Sequence, residues 1–420
     1  MNRRHFTHAL ASVAALPLLG QAPAIRAQSR PQVVVIGGGF GGSTVARYIR
    51  LWDPGIDVTL IERQPHLISC PMSNLVLSGD RTLDQNVITY DALEKRGVRR
   101  IQAEVEAIEH DQRQVVLADG TRVRYDRLVL SPGIDFDFGA IGGLDEQVSD
   151  TKVPHAWKAG AQTLLLRQQL EALADGGVYL LSIPKAPYRC PPGPYERVSL
   201  IASYFKRAKP KSKVLVLDAN AEIVSKKGLF LKAWEELYPG VVEYHANSAV
   251  LEIDPAQGAV KSEFENYRAD VLNILPPQRA GRIAHDAGVI TVDKRWAGID
   301  FQSYESLAVP GIHVLGDATQ AAPAPKSAHT ANNQAKIAAS AIIAKLRDQP
   351  LTPVPVSANT CYSFVSPTEA VHVAAVYRFD PAKKALVAVD GTVGVSAQRT
   401  ALEAEYAHAW AKNIWQDSLG

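Results

Sequence analysis

The chain has 420 residues, more than one hydrophobic core usually serves, so two or three domains are expected. Hydrophobic residues make up 46% and charged residues 21%, the balance of an ordinary globular protein. A formal net charge of +2, with no basic run interleaved with aromatics, argues against nucleic-acid binding.

Residues 1–27 read as an address. Arg3-Arg4 precede His5-Phe6, an apolar stretch runs from Ala9 to Leu19, and small residues stand at Ala22, Ala24 and Ala27. That is the pattern of a cleavable export signal. The arginine pair points to the twin-arginine route, which carries folded, cofactor-loaded proteins. The competing reading is a Sec signal with an incidental arginine pair. The apolar stretch is too short to span a bilayer, and no later run is long and apolar enough for a transmembrane helix. The segment holds three arginines and no acid, so its removal takes the net charge from +2 to −1. The mature chain is expected in the periplasm, starting near Gln28.

Val33-Val34-Val35-Ile36 is a short β-branched run, as in a buried parallel strand. The glycines that follow place Gly37, Gly39 and Gly42 in a G-x-G-x-x-G spacing, with Phe40 inside the turn and helical character from Ser43 to Trp52. Such glycines allow a tight turn and close backbone approach to a pyrophosphate at the helix N-terminus. A second strand, Val58 to Ile61, ends in Glu62, placed to bond a ribose, with Arg63 beside it. Strand, glycines, helix, strand and acid in that order make a dinucleotide site.

Two later segments decide for FAD. Tyr125 to Gly133 resembles the strand and turn by which two-dinucleotide flavoproteins return to the FAD domain. Ile312 to Ala318 resembles their second FAD signature, in which Gly316 and Asp317 approach the ribityl–pyrophosphate. The helix expected from Thr330 to Leu346 offers its N-terminal dipole to a reduced flavin.

A second strand for a nicotinamide cofactor is read at Val178 to Ile183, but residues 184–196 then form a proline-rich loop instead of a glycine turn. Prolines lack the N–H donors that cradle phosphate. The next strand, Val214 to Leu217, ends in Asp218, so the βαβ plan persists without a nucleotide site, and a donor smaller than NADH is implied.

Only Cys70, Cys190 and Cys361 are present. An odd count in an exported protein is accounted for by one disulfide and one otherwise consumed cysteine. Cys190 lies in the proline-rich loop, and Cys361 follows the second FAD signature. Their pairing reads either as a redox device over the flavin or as a structural tie. Cys70 follows Glu62 by eight residues, at most about 26 Å of chain, enough to run from the ribose end of FAD towards its ring. It reads as a covalent anchor for the flavin or as an inert core cysteine.

The chain from about Gln32 onwards resembles the flavoprotein subunit of flavocytochrome c sulfide dehydrogenase, most specifically in Pro187-Tyr188-Arg189-Cys190-Pro191-Pro192-Gly193-Pro194-Tyr195-Glu196. The resemblance implies a thioether from Cys70 to the 8α carbon of FAD, and a Cys190–Cys361 disulfide attacked by sulfide. It also implies sulfur or polysulfide as product, and electrons passed to a c-type cytochrome subunit. The chain has no C-x-x-C-H, so haem is expected on that partner. Glu196, six residues beyond Cys190, reads as a proton handler or as a surface glutamate.

The fold expected is α/β: two Rossmann-like domains of the disulfide-reductase type plus a small α+β C-terminal domain. Residues 28–143 and 268–350 form the FAD domain, 144–267 the nucleotide-like insert and 351–420 an interface domain. The last is expected to have strands at Ala370–Tyr377 and Ala385–Val389 and a helix over Ala397–Trp415. No metal-ligating pattern is read. The rival readings are a sulfide:quinone oxidoreductase, a flavin-bearing scaffold with a structural disulfide, and an NADH-dependent disulfide reductase.

Overall fold

A computed structural model describes residues 30–420; the export signal read over residues 1–27 lies outside them. The first Rossmann unit opens with β1 (Gln32–Ile36), α1 (Phe40–Trp52), β2 (Asp57–Ile61), β3 (Val98–Ile101) and β4 (Arg127–Leu130). The second contains β5 (Val178–Ile183), α2 (Gly193–Ala208), β6 (Lys213–Asp218), α3 (Lys227–Leu237), β7 (Val242–His245) and β8 (Val271–Ile274). The chain then returns through β9 (Ile312–Val314) and α4 (Ala328–Leu346). It ends in an antiparallel sheet, β10 (Val356–Ser366), β11 (Glu369–Asp380) and β12 (Ala385–Ala388), followed by α5 (Ala401–Leu419).

The first sheet has the order β9-β4-β1-β2-β3 and is parallel throughout. The second has the order β7-β6-β5-β8, also parallel. Val33 to Ile36 are all buried, as both faces of a parallel sheet must be when helices cover them. One hydrophobic core runs through both sheets, from Val35 and Leu60 to Tyr179, Val216 and Phe205.

The helix expected from Ser43 begins at Phe40, with Gly39 as its N-cap. Two differences from the sequence reading bear on the site. The loop expected over residues 184–196 ends early, because α2 begins at Gly193 with Pro194 in its first turn, where a missing N–H costs no helical bond. Glu196 and Arg197 therefore stand on a helix. In the C-terminal segment, Cys361 lies on a strand of 11 residues that the sequence reading left unassigned. Ser357, Asn359, Cys361 and Ser363 alternate as its buried face. Polar residues at the buried positions hide the apolar alternation by which such strands are found. The last helix starts at Ala401, after Thr400, whose hydroxyl accepts from the Glu403 N–H.

Arg197 is fully buried and knits these units together. Its guanidinium donates to the carbonyls of His155 (2.8 Å) and Ala156 (2.6 Å), to Asn273 Oδ1 (2.8 Å) on β8 and to Asn74 Oδ1 (3.1 Å). Burial lowers its pKa to about 10. Replacing Arg197 with Met keeps the stem but strands buried acceptors. A loss on the order of 3 kcal/mol is expected, read as a lower urea midpoint for the whole cooperative unit.

Candidate functional site

The site grows from the turn after β1. Gly37 has φ +100, and its N–H donates to Ile61 O at 2.9 Å, locking the turn to β2. A Cβ at Gly37 would lie 2.4 Å from Ser131 O, and one at Gly42 would lie 1.8 Å from Gly37 O. These two glycines are required by packing of the turn itself. A Cβ at Gly39 would meet nothing within 4 Å. Gly39 faces open cleft, where backbone can approach a ligand phosphate.

That cleft has a cavity volume of about 390 Å³. Gly39, Phe40, Glu62, Arg63, Cys70, Cys190, Glu196, Gly316, Asp317 and Cys361 all line it. The sequence-predicted site residues other than Gly37 and Gly42 thus meet in one cavity. Glu62 is held at its rim by two donors, Gly38 N at 2.6 Å and Gln64 N at 2.8 Å, which leaves further lone pairs on each oxygen. Arg63 is exposed and pairs with Glu104 at 3.7 Å.

On the opposite wall, Gly316 and Asp317 form a short turn after β9, and Gly316 N donates to Gln334 Oε1 at 2.7 Å. Asp317 Oδ1 is buried and has no hydrogen-bond partner among the described residues. Burial raises its pKa, opposed by Arg189 and Lys326. A buried acceptor without a donor marks a place for one. Beside it begins α4, whose cap Ser327 accepts from Thr330 N at 3.0 Å and whose Ala328 and Ala331 face the cleft. The open approach at Gly39, the rim carboxylate, the orphaned Asp317 oxygen and this helix N-terminus together fit FAD.

Cys70 reaches the same cavity from a loop fixed at several points. Asn86 Nδ2 donates to Ser69 O at 2.9 Å, and Trp415 Nε1 on α5 donates to Ser69 Oγ at 2.8 Å. Cys190 has φ +55; its N–H donates to Lys326 O at 2.8 Å, and its carbonyl accepts from Gly193 N at 2.8 Å. A Cβ at Gly193 would lie 2.9 Å from the Cys190 sulfur, so glycine is needed there. Cys361 comes from β10. The two cysteines stand as thiols, not as the disulfide implied by the resemblance, and Cys361 is close enough to help raise the Cys190 pKa, after burial.

Glu196 lies among these groups and not on the outer surface. Its oxygens accept from Asn74 Nδ2 at 2.8 Å and Phe364 N at 2.9 Å, and burial raises its pKa. Two lysines that sequence reasoning missed also belong here. Lys226 is buried behind the cysteines, and burial lowers its pKa to about 8. Lys326 donates to the carbonyls of Asp317 (2.9 Å) and Thr319 (2.6 Å) over the Trp296 ring, and burial lowers its pKa to about 7. Neither lies in a sequence pattern that marks it.

In the second Rossmann unit, Asp218 at the end of β6 is consumed internally. It accepts from Tyr195 Oη (2.7 Å), Tyr244 Oη (2.9 Å), Asn220 N (2.9 Å) and Asn220 Nδ2 (2.7 Å). The acid at the end of β6 therefore has its lone pairs filled by protein donors, unlike Glu62 in the first unit.

The glycines give separable tests. Gly39→Ala is expected to leave the melting temperature of the apoprotein within a degree or two but to lower flavin content per chain. Gly42→Ala is expected to lower both, at a packing cost of about 1–3 kcal/mol. Flavin absorbance and thermal melts on the purified variants check the pair.

The family described as "Sulfide dehydrogenase (flavocytochrome c) flavoprotein chain, central" matches residues 163–276. "Flavocytochrome c sulphide dehydrogenase, flavin-binding" matches 353–419, and "Pyridine nucleotide-disulphide oxidoreductase" matches 31–164. The chain is 24% identical over 311 residues to the mitochondrial sulfide:quinone oxidoreductase of Mus musculus, covering 70% of this chain and 66% of that protein, just under two thirds of its length. It is 53% identical over 45 residues to the sulfide dehydrogenase (flavocytochrome c) flavoprotein chain of Chlorobaculum thiosulfatiphilum, covering 11% of this chain and 94% of that sequence. The crystal structure of the sulfide:quinone oxidoreductase of Aquifex aeolicus superimposes with a TM-score of 0.76 at 20% identity, over 93% of this chain and 92% of that one. Putidaredoxin reductase, in its complex with putidaredoxin, gives 0.65 at 20% identity, over 93% and 94%. These solved structures share the expected fold, two Rossmann-type units of the disulfide-reductase kind.

Proposed function

The chain belongs to the sulfide-oxidising flavoproteins, and from that premise we propose that it oxidises sulfide through Cys190 and Cys361 and delivers the electrons, by way of FAD, to a c-type cytochrome subunit. The observation that carries the reading is that both cysteines and Glu196 line the cleft walled by Gly39, Glu62, Cys70 and Asp317. Reduced sulfur and flavin would meet in one chamber. FAD, when bound, supplies a two-electron acceptor that can release electrons singly.

The residues of this chain divide the work. Gly39, Glu62, Asp317 and the N-terminus of α4 bind the cofactor, and Cys70 anchors it covalently. The cysteine pair, once oxidised, offers hydrosulfide an electrophilic sulfur. Attack breaks the S–S bond, makes a persulfide on one cysteine and releases the other as a thiolate. Glu196, its pKa raised by burial, is placed to take up and return the proton of the attacking or bound sulfur. Loss of the glycine turn and occupation of Asp218 support a donor other than NADH.

The two flavocytochrome matches favour cytochrome over quinone as acceptor. No described helix is long and apolar enough to cross a membrane. Export to the periplasm by the twin-arginine route stays part of this proposal, on the strength of Arg3-Arg4 and the apolar stretch after them.

The cysteine test compares Cys190→Ser and Cys361→Ser with the wild type. Each variant is expected to fold, to bind flavin and to accept electrons from dithionite. Each should lose sulfide-driven reduction of cytochrome c by a factor on the order of ten thousand or more, the scale of removing one member of a catalytic unit. A structural tie would instead cost about 2–5 kcal/mol of stability and leave turnover in place. In the wild type, sulfide should bleach the flavin and NADH should not. A soluble quinone turning over faster than cytochrome c would move the acceptor assignment to quinone.

For Cys70, acid denaturation of the mature protein should leave the yellow colour on the polypeptide, with the FAD mass on the peptide containing residue 70. Cys70→Ser should release flavin on the same treatment while still binding it in the native state. Flavin washing off the denatured wild type refutes the anchor.

A further inference from the structure

The reading above leaves the two cysteines interchangeable, but their surroundings are not. Cys361 sits on the buried face of β10 between Asn359 and Ser363, whose side chains point the same way because a strand repeats every two residues. Asn359 Oδ1 accepts from Ser327 Oγ at 2.6 Å and Thr330 Oγ1 at 3.3 Å, and more distantly from the Cys361 thiol at 3.7 Å. The amide is thereby oriented so that Asn359 Nδ2 donates to Cys361 Sγ at 3.3 Å. On the other side, Lys226 Nζ donates to Ser363 Oγ at 2.7 Å and to the Cys361 carbonyl at 2.9 Å. Cys361 is flanked along its strand by a fixed amide donor and a buried ammonium.

Cys190 is supported differently, by the charge of Arg189 ahead of that of Lys226. Among the described residues no side chain donates to its sulfur, and its neighbours Cys361 and Glu196 both disfavour a negative charge there. Glu196 disfavours charge at both thiols, but at Cys361 Lys226 is the foremost stabilising group, followed by Asn359 and Ser327, whereas at Cys190 Lys226 comes second to Arg189. The groups facing the Lys226 ammonium are the Cys361, Cys190, Glu196 and Glu403 side chains, with the Phe230 ring 5.8 Å away. Nothing else in the proposed reaction gives this buried cation a task.

We propose that Lys226, with Asn359, is a positioning residue that makes Cys361 the sulfur that leaves as thiolate, so that hydrosulfide attacks Cys190. The inference rests on the sulfide-oxidising reading of the same cleft. In the step, the Cys190–Cys361 bond breaks and a bond forms between the hydrosulfide sulfur and Cys190 Sγ. The electron pair of the broken bond goes to Cys361 Sγ. The products are a Cys190 persulfide and a Cys361 thiolate, and the single negative charge brought by hydrosulfide is conserved. Glu196 adjoins Cys190 and is placed to receive the persulfide proton. The ammonium carries its charge below about pH 8 and loses it above, so the preference for a Cys361 thiolate weakens as pH rises past that value.

The test uses the holoenzyme. In the anaerobic dithiol form, alkylation of each cysteine by iodoacetamide is followed against pH by peptide mass spectrometry. In the wild type, the Cys361 midpoint should lie below that of Cys190. Lys226→Met should raise the Cys361 midpoint by about one pH unit, a tenfold loss of thiolate, and move Cys190 little, while Lys226→Arg should restore it. In the oxidised wild type, less than one equivalent of sulfide followed by rapid trapping should leave the extra sulfur on the Cys190 peptide. A persulfide on Cys361, a Cys190 midpoint below that of Cys361, or a Lys226→Met variant that shifts both equally or neither overturns the proposal. The wild-type arms need no variant to fold. If these arms fail while both serine variants still abolish turnover, only this inference falls. An oxidised wild type with Cys190 and Cys361 unlinked sinks both.

Discussion

One carboxylate ties three walls of the cleft together. Glu196, on the first turn of α2, accepts from Asn74 Nδ2 at the start of the short helix after Cys70 (Asn74–Leu77) and from the backbone N–H of Phe364 on the strand that carries Cys361. Its neighbour Arg197 clamps Asn74 and β8 from behind. The segment after Cys70, the helix after Cys190 and the C-terminal strand therefore share one buried polar network. A network of this kind stabilises only when every member is satisfied, and it then holds its parts in a single arrangement.

The cleft also concentrates charge that burial makes costly. Asp317 and Glu196 are pushed up, and Lys226 and Lys326 are pushed down, each chiefly by burial. The carboxyls and ammonium groups are interleaved, Lys326 beside Asp317 and Lys226 between Glu196 and the cysteines, so each partly offsets the desolvation of another. Perturbed groups gathered in one cleft in this way are what a functional site would be expected to hold.

The two Rossmann units follow one plan and end it differently. In the first, the acid after the second strand stays at the rim of an open cleft. In the second, the equivalent Asp218 is saturated by two tyrosines and an asparagine, and the turn before α2 is given to Cys190. The same scaffold thus carries different side chains at the two equivalent turns, which fits fold and chemistry being separable.

Much of this was legible from residue order alone, because local rules act locally. Glycine spacing after a β-branched run determines the turn and helix at residues 37–52, since few other residues tolerate that backbone. Proline dictates what residues 184–192 cannot bind. The cysteine count limits the candidate redox residues to three positions, and all three line the cleft. What only the tertiary structure decided depends on distance through space. Glu196 could be read as surface or site until α2 turned it towards Phe364. The strand carrying Cys361 escaped notice because its buried face is polar. Lys226, 135 residues from the carbonyl it holds, belongs to no local pattern at all. Its role comes from two segments packing together with water excluded between them, and a charge acquires its influence only once burial lowers the dielectric around it.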